Sequence, residues 1–158
     1  MGITTFVGPD PSPGFKQQVA GAIEIPLTDA ISGEVTASKG GMPIGAPRYK
    51  GSVQDVWISV GGSGKDDTNT LSLEVDVLIN GTSCLTTSPK IAHVSGEAAT
   101  NKTTRDAGDT GITQAVLDGD NNTYEVGDSF MASWTLTRTA SPTTEMANAA
   151  LVVELKPD

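Results

Sequence analysis

The sequence predicts an all-β protein, an antiparallel β-sandwich, and three observations lead to this fold class. Apolar residues alternate with polar ones over short segments, and clusters of turn residues separate those segments. Helical periodicity is nowhere sustained over about ten residues. Glycine is frequent (18 residues) and only 18% of residues are charged, which disfavours a helical bundle. About six to eight short strands would need two packed sheets, in jelly-roll-like or immunoglobulin-like connectivity.

An extended N-terminal arm, residues 1–14, precedes the sandwich and holds the candidate partner-binding residues. Prolines at alternate positions favour extended backbone there and cannot donate ladder hydrogen bonds. Such an arm gains order by packing on its own domain or by reaching a neighbouring subunit or partner. The second alternative makes these residues candidate contacts: Phe6, Val7, Pro9, Pro11, Pro13 and Phe15.

Residues 15–158 are predicted to form a single sandwich domain, a size that one domain commonly has. Six of the nine prolines precede residue 50, so residues 15–50 are expected to be irregular and residues 51–158 to be the regular body. A weak strand is expected at 22–27, confined to an edge or a bulge by Pro26. A short strand is also expected at 34–37.

The body begins with two strands and a hairpin. Residues 53–60 carry apolar side chains on both faces, which predicts a strand inside a covered sheet. One face holds Val56, Ile58 and Val60, and the other holds Val53 and Trp57. The next strand alternates strictly, with its apolar face formed by Leu71, Leu73, Val75, Val77 and Ile79. It ends at Asn80-Gly81, a type I′ turn signal, after which residues 82–86 should run back alongside.

The remaining strands are expected at residues 90–94, 111–117, 129–137 and 149–155. Residues 95–110 and 138–148 are polar and are predicted to be long surface loops. Trp57 and Trp134 lie on strongly strand-like segments and are expected between the two sheets.

The net charge of −9 comes from 19 acidic and 10 basic residues. Residues 1–50 hold four of each, so the whole excess lies after residue 50. This field repels phosphate backbones and disfavours nucleic-acid binding. No segment approaches the roughly 18 apolar residues of a membrane helix, and no signal peptide is recognised, so synthesis in a cytoplasm is expected. Cys84 is the only cysteine, which excludes an intrachain disulfide.

No catalytic, cofactor or metal motif is found, so the sequence predicts a non-enzymatic protein without a cofactor. The single histidine, His93, has no accompanying G-x-S-x-G nucleophile signature, and one His with one Cys cannot supply a usual zinc site. Residues 61–65 lack the spacing of a phosphate-binding loop. A calcium loop at Asp118, Asp120 and Asn122 remains a weak alternative to a turn, because the Gly and Glu of that motif are absent.

Residues 53–157 resemble small structural proteins of tailed bacteriophages. The resemblance rests on VWISVGGSGKDDTNTLSLEVDVLINGTS, on GITQAVLD, on GDSF before a strand, and on TLTRTASPTTEMANAALVVELKP. It carries no catalytic motif, so no functional residue follows from it. All-β members of this group often serve as capsid decoration, or cement, proteins, typically trimers that bridge major capsid subunits.

The resemblance therefore implies a homotrimeric capsid decoration protein that binds the major capsid protein on the virion surface, after synthesis in the cytoplasm of a host bacterium. An alternative is a receptor- or glycan-binding module of a head fibre or tail assembly. That module would use the loops at 61–69 and 95–110. Aromatic residues make up only 4% of the chain, which makes a sugar platform poor.

Overall fold

A computed structural model describes residues 22–26, 33–66 and 70–158 of the chain. Thirteen strands are found within these ranges. Their bounds are β1 Ala22–Pro26, β2 Lys39–Gly45, β3 Gly51–Gly62, β4 Ser72–Ile79, β5 Thr82–Ser83, β6 Leu85–Thr87, β7 Lys90–Ala92, β8 Lys102–Thr103, β9 Ile112–Thr113, β10 Val116–Leu117, β11 Thr123–Tyr124, β12 Phe130–Thr137 and β13 Ala147–Pro157.

The strands form two main antiparallel sheets that pack face to face, which confirms the predicted β-sandwich. Sheet A has the order β1-β13-β3-β11, and β8 also pairs with β3. Sheet B has the order β2-β12-β4-β7-β9, and β5 also pairs with β4. A short β10-β6 pair stands beside them. The core between the sheets is largely aliphatic, so burial of apolar area on the inner faces holds the layers together.

The strands with strict alternation lie as predicted. Every second residue of β4 from Leu73 to Ile79 is buried, as is Leu71 just before it. In β12, Phe130, Ala132 and Trp134 face the core, which confirms the inner position of Trp134. Asn80 and Gly81 have φ values of 51° and 86°, as a type I′ turn requires. Thr82–Ser83 then pairs with β4, and the Cys84 amide donates to the Val77 carbonyl (2.9 Å) before the chain leaves at Leu85 to pair with β10.

Two predictions about β3 are wrong, and a β-bulge explains the first. Asp55 pairs with Glu154 and Val53 with Leu155, so Gln54 is an extra residue on β3. The bulge restores Val53 to the face of Val56, and both are buried. Trp57 points away from the core, on the outer face of sheet A, because no bulge separates it from the buried Val56 and Ile58.

The N-terminal third is more regular than predicted. β1 confirms the expected edge strand, which ends at Pro26 and pairs only with β13 among the described strands. The expectation of irregular backbone is wrong for residues 39–45, which form β2 and pair with β12. The expected strand at 34–37 is reduced to one bridge, between Glu34 and Ala147. Pairing with β12 explains why a glycine- and proline-containing segment can be a strand at a sheet edge.

The predicted surface loops also contribute to the packing. Residues 95–110 contain β8, which pairs with Ser59 and Val60, and Thr104 beside it is buried. Residues 138–148 contain the fully buried Met146 and the first residues of β13. Residues 111–117 are two short strands that join different sheets rather than one strand.

Candidate binding surface

The six candidate contacts, five in the N-terminal arm and Phe15 directly after it, lie outside the described residues. The described chain does give the place where this segment joins the sandwich. Ala22, the first residue of β1, pairs with Glu154, and β1 then runs antiparallel to β13 until Pro26 pairs with Ala150. β1 therefore begins nearer to the end of the sandwich at which β13 terminates and runs away from that end.

We call this end the arm-side end and define it as residues 46–50, 125–129 and 156–158. Three large apolar residues are exposed in the described part of the chain: Tyr49 (46%), Val116 (52%) and Val126 (66%). Tyr49 and Val126 belong to the arm-side end, whereas Val116 lies on β10, paired with Thr87. Sequence reasoning missed both residues, because each is a single apolar residue in a turn and its exposure depends on the folded neighbours.

Hydrogen bonds fix the two turns that present Tyr49 and Val126. The Gly127 amide donates to the Pro47 carbonyl (3.2 Å), which joins the two segments. The Asp128 carboxylate accepts from the Glu125 amide (2.8 Å) and from the Asn80 side chain (2.8 Å). These two bonds hold the pKa of Asp128 below its ordinary value. The turns are therefore preorganised, and little order has to be gained when a partner binds.

The arm-side end is electrically balanced although the chain is strongly acidic. It contains the bases Arg48, Lys50 and Lys156 and the acids Glu125, Asp128 and Asp158. Lys50 and Asp158 form an ion pair (3.1 Å), which raises the pKa of Lys50. The excess of nine negative charges therefore lies elsewhere in the chain.

The opposite end of the sandwich holds a cluster of buried polar side chains, and these are used to tether loops. The Lys102 ammonium, 5% exposed, lies 2.6 Å from both Glu97 Oε2 and the Thr110 carbonyl. Asp66 accepts from the amide (3.1 Å) and the hydroxyl (2.9 Å) of Thr70. A buried charge is tolerated when it is paired and hydrogen-bonded in this way.

The candidate chemical groups do not converge on a reactive site. His93 is buried (5% exposed), and its Nδ1 has no hydrogen-bond partner among the described residues. Cys84 is buried and packs as a small apolar side chain, and burial together with Asp76 raises the pKa of its thiol to about 12. The thiol is therefore a poor nucleophile at neutral pH.

The weak calcium candidate has the geometry of a turn. Asp118 accepts from the Asn121 side chain (2.8 Å) and from the Asp120 amide (3.0 Å), and these two bonds lower the pKa of Asp118. The Asn122 side-chain amide donates to the Val53 carbonyl on β3 (3.4 Å). Across the described ranges, no group of three or more His, Cys, Asp and Glu side chains is placed to hold a metal ion.

On the outer face of sheet A, the Arg105 guanidinium stacks on the Trp57 ring in a cation–π contact. The Arg105 guanidinium carbon lies 4.2 Å from the centroid of the Trp57 ring. Arg105 also approaches Asp55 (3.6 Å) and Glu154 (3.8 Å) on the two neighbouring strands. The segment at 95–110 is thereby fastened to sheet A, and the ring is engaged within the chain.

Comparison of the chain with protein-family models, curated proteins and solved structures finds no match. None of the described residues belongs to a helix that is long and apolar enough to cross a membrane.

Proposed function

We propose that the chain is a non-enzymatic decoration protein of a tailed-bacteriophage head, which binds the outside of the capsid lattice and bridges neighbouring major capsid subunits. The sequence resemblance supports this class of protein. The observation that carries the proposal is how the N-terminal segment is attached: it leads directly into an edge strand that is paired with an interior strand of sheet A.

This attachment suits a tether. All five residues of β1 pair with β13, and β13 in turn pairs with β3 at ten positions. A pull on the N-terminal segment is therefore carried by several backbone hydrogen bonds that must break together. A segment whose own sequence favours extended backbone can then bind a neighbouring capsid subunit while the sandwich stays folded.

The distribution of charge supports the same arrangement. Residues 1–50 are neutral, and the excess of negative charge lies in the body. Like charge keeps free copies apart in solution, whereas an arm with one charged side chain, Asp10, meets little repulsion on a capsid subunit. Many weak contacts, in trimers and across the lattice, would add through multivalency by a factor of about 10² to 10⁴ in affinity.

The test is co-sedimentation with phage heads assembled without the protein. The full chain is compared with a chain that lacks residues 1–14, and with a Phe6→Ser, Val7→Ser variant that keeps the prolines. We expect saturable binding by the full chain and at least about tenfold weaker binding by both altered chains.

Two results would refute the proposal. One is that the full chain fails to bind heads at every salt concentration tested. The other is binding to host cells or their surface glycans in place of heads, which would favour the receptor- or glycan-binding module. Equal binding with and without residues 1–14 would refute the role of the arm.

A further inference from the structure

The arm-side end differs from the rest of the described surface in two independent respects. It presents two of the three exposed large apolar residues, Tyr49 and Val126, on turns fixed by hydrogen bonds. It also balances three bases against three acids in a chain of net charge −9. Apolar anchors with little net charge around them are characteristic of the centre of a protein–protein interface.

The same end is where the N-terminal segment joins the sandwich. β1 begins beside Glu154, three residues from the end of β13, and runs away from the arm-side end. At about 3.3 Å per residue, Ala22 lies roughly 10 Å from that end. Residues 1–21 have ample length to reach any partner that contacts Tyr49 and Val126.

We propose that the arm-side end is a docking face, with Val126 and Tyr49 as anchors that enter an apolar recess on the protein to which the arm binds. This inference rests on the proposed function, in which that protein is the major capsid subunit. The acidic remainder of the sandwich then faces solution. A partner with an apolar, weakly charged recess fits this face, whereas a strongly basic partner would be matched by the acidic body instead.

A second copy of the chain is a poorer occupant of the same face. Pairing two arm-side ends would bury only two large apolar residues from each copy, less than a stable interface between copies needs, whereas a capsid subunit would also be held by the arm. The proposal therefore predicts that loss of the two anchors weakens head binding and leaves the oligomeric state unchanged.

Two exposed valines provide a matched test. Val126→Ser changes the arm-side end, and Val116→Ser makes the same substitution on β10, outside it. We expect Val126→Ser to weaken co-sedimentation with heads by about fivefold to tenfold, and Tyr49→Ser with Val126→Ser to weaken it further. Val116→Ser should bind as the unaltered chain does. Urea unfolding of each variant separates loss of binding from loss of folding. Val126 is 66% exposed, so its substitution is expected to change the free energy of unfolding little.

The salt dependence of head binding distinguishes an apolar interface from one held by charge. Between roughly 0.05 M and 0.5 M salt, screening strongly weakens contacts between exposed charges. The apolar, balanced face should change its affinity less than about threefold over this range. A fall of tenfold or more would overturn the proposal in favour of binding through the acidic body.

The other outcomes are distinct. Unchanged binding of the double variant, together with loss of binding without residues 1–14, would overturn the docking face and leave the decoration function standing. A dimer or trimer that dissociates in the double variant, with head binding retained, would assign this face to contacts between copies. If the unaltered chain binds no heads, the proposed function fails and the docking face fails with it.

Discussion

Gly64 is a position at which one added methyl group should be strongly destabilising. Its φ of +69° is strained for any residue with a side chain. A Cβ at Gly64 would also overlap Leu71 Cδ2 and would lie 2.8 Å from the Met146 amide nitrogen and 2.9 Å from the Thr144 carbonyl oxygen. Two of these three atoms belong to backbone, so a change of rotamer cannot relieve the contact.

The magnitude follows from these two terms. Left-handed backbone costs a residue with a side chain about 1–2 kcal/mol. Overpacking in a tight site costs about 1–3 kcal/mol more. We therefore expect Gly64→Ala to lower the free energy of unfolding by about 2–5 kcal/mol, a large part of the stability of an ordinary domain.

Two control glycines separate the terms. Gly81→Ala has the strain alone, since φ is +86° and nothing lies within 4 Å of the added Cβ. Gly62→Ala, on β3, has neither strain of this kind nor a contact. Urea unfolding followed by tryptophan fluorescence should rank stability as Gly62→Ala highest, Gly81→Ala lower by about 1–2 kcal/mol, and Gly64→Ala lowest. If Gly64→Ala were no less stable than Gly81→Ala, the packing argument would be refuted.

Three further predictions concern single side chains. Arg105→Ala should lower the free energy of unfolding by about 1 kcal/mol and change the tryptophan emission, because it removes the guanidinium that covers Trp57. Arg105→Lys should have an intermediate effect on both quantities. An unchanged emission spectrum would contradict the stacking of Arg105 on Trp57. Hydrogen bonds from the Glu125 amide and from the Asn80 side chain lower the pKa of Asp128 in the folded protein. The ionised carboxylate therefore stabilises the fold at pH values above the pKa that it has in the unfolded chain. This stabilisation is lost as the pH falls through the lowered pKa of the folded protein. Asp128→Asn should therefore lose stability near neutral pH and decline less in acid, and a parallel pH profile for the two proteins would argue against it. The buried Cys84 should react with a thiol reagent at about pH 8 only as fast as the protein unfolds, and rapid labelling of the folded chain would disprove its burial.

Local signals were sufficient where one face of a strand is buried and the register is regular. The alternation in β4 and β12 predicted which residues face the core, because side chains on a strand point to opposite sides in turn. Asn80-Gly81 predicted its turn, because few other pairs of residues accept two positive φ values. Pro26 predicted an edge or a bulge, because proline has no amide hydrogen to donate to a neighbouring strand, and β1 is an edge strand among the described strands.

The same signals failed where a partner strand decides the outcome. Nothing in KGGMPIG favours a strand, and β2 exists because β12 offers its backbone groups for pairing. The polar segment at 95–110 was predicted to be a surface loop, yet β8 within it pairs with β3 and buries Thr104. The bulge at Gln54, invisible in the sequence, moves Val53 to the face of Val56, whereas Trp57 keeps the alternation with Val56 and Ile58 and therefore lies on the outer face.

By itself, then, the sequence determined the all-β class, the aliphatic inner faces, the main hairpin and the neutrality of the N-terminal third of the chain. These depend on residues that are adjacent or two apart in the chain, or on composition alone. Only the tertiary structure decided that Tyr49 and Val126 share one end, that this end is electrically balanced, and that β1 begins beside it. Those features join segments about 30 to 130 residues apart, and contacts at that separation are fixed by sheet pairing across the whole domain.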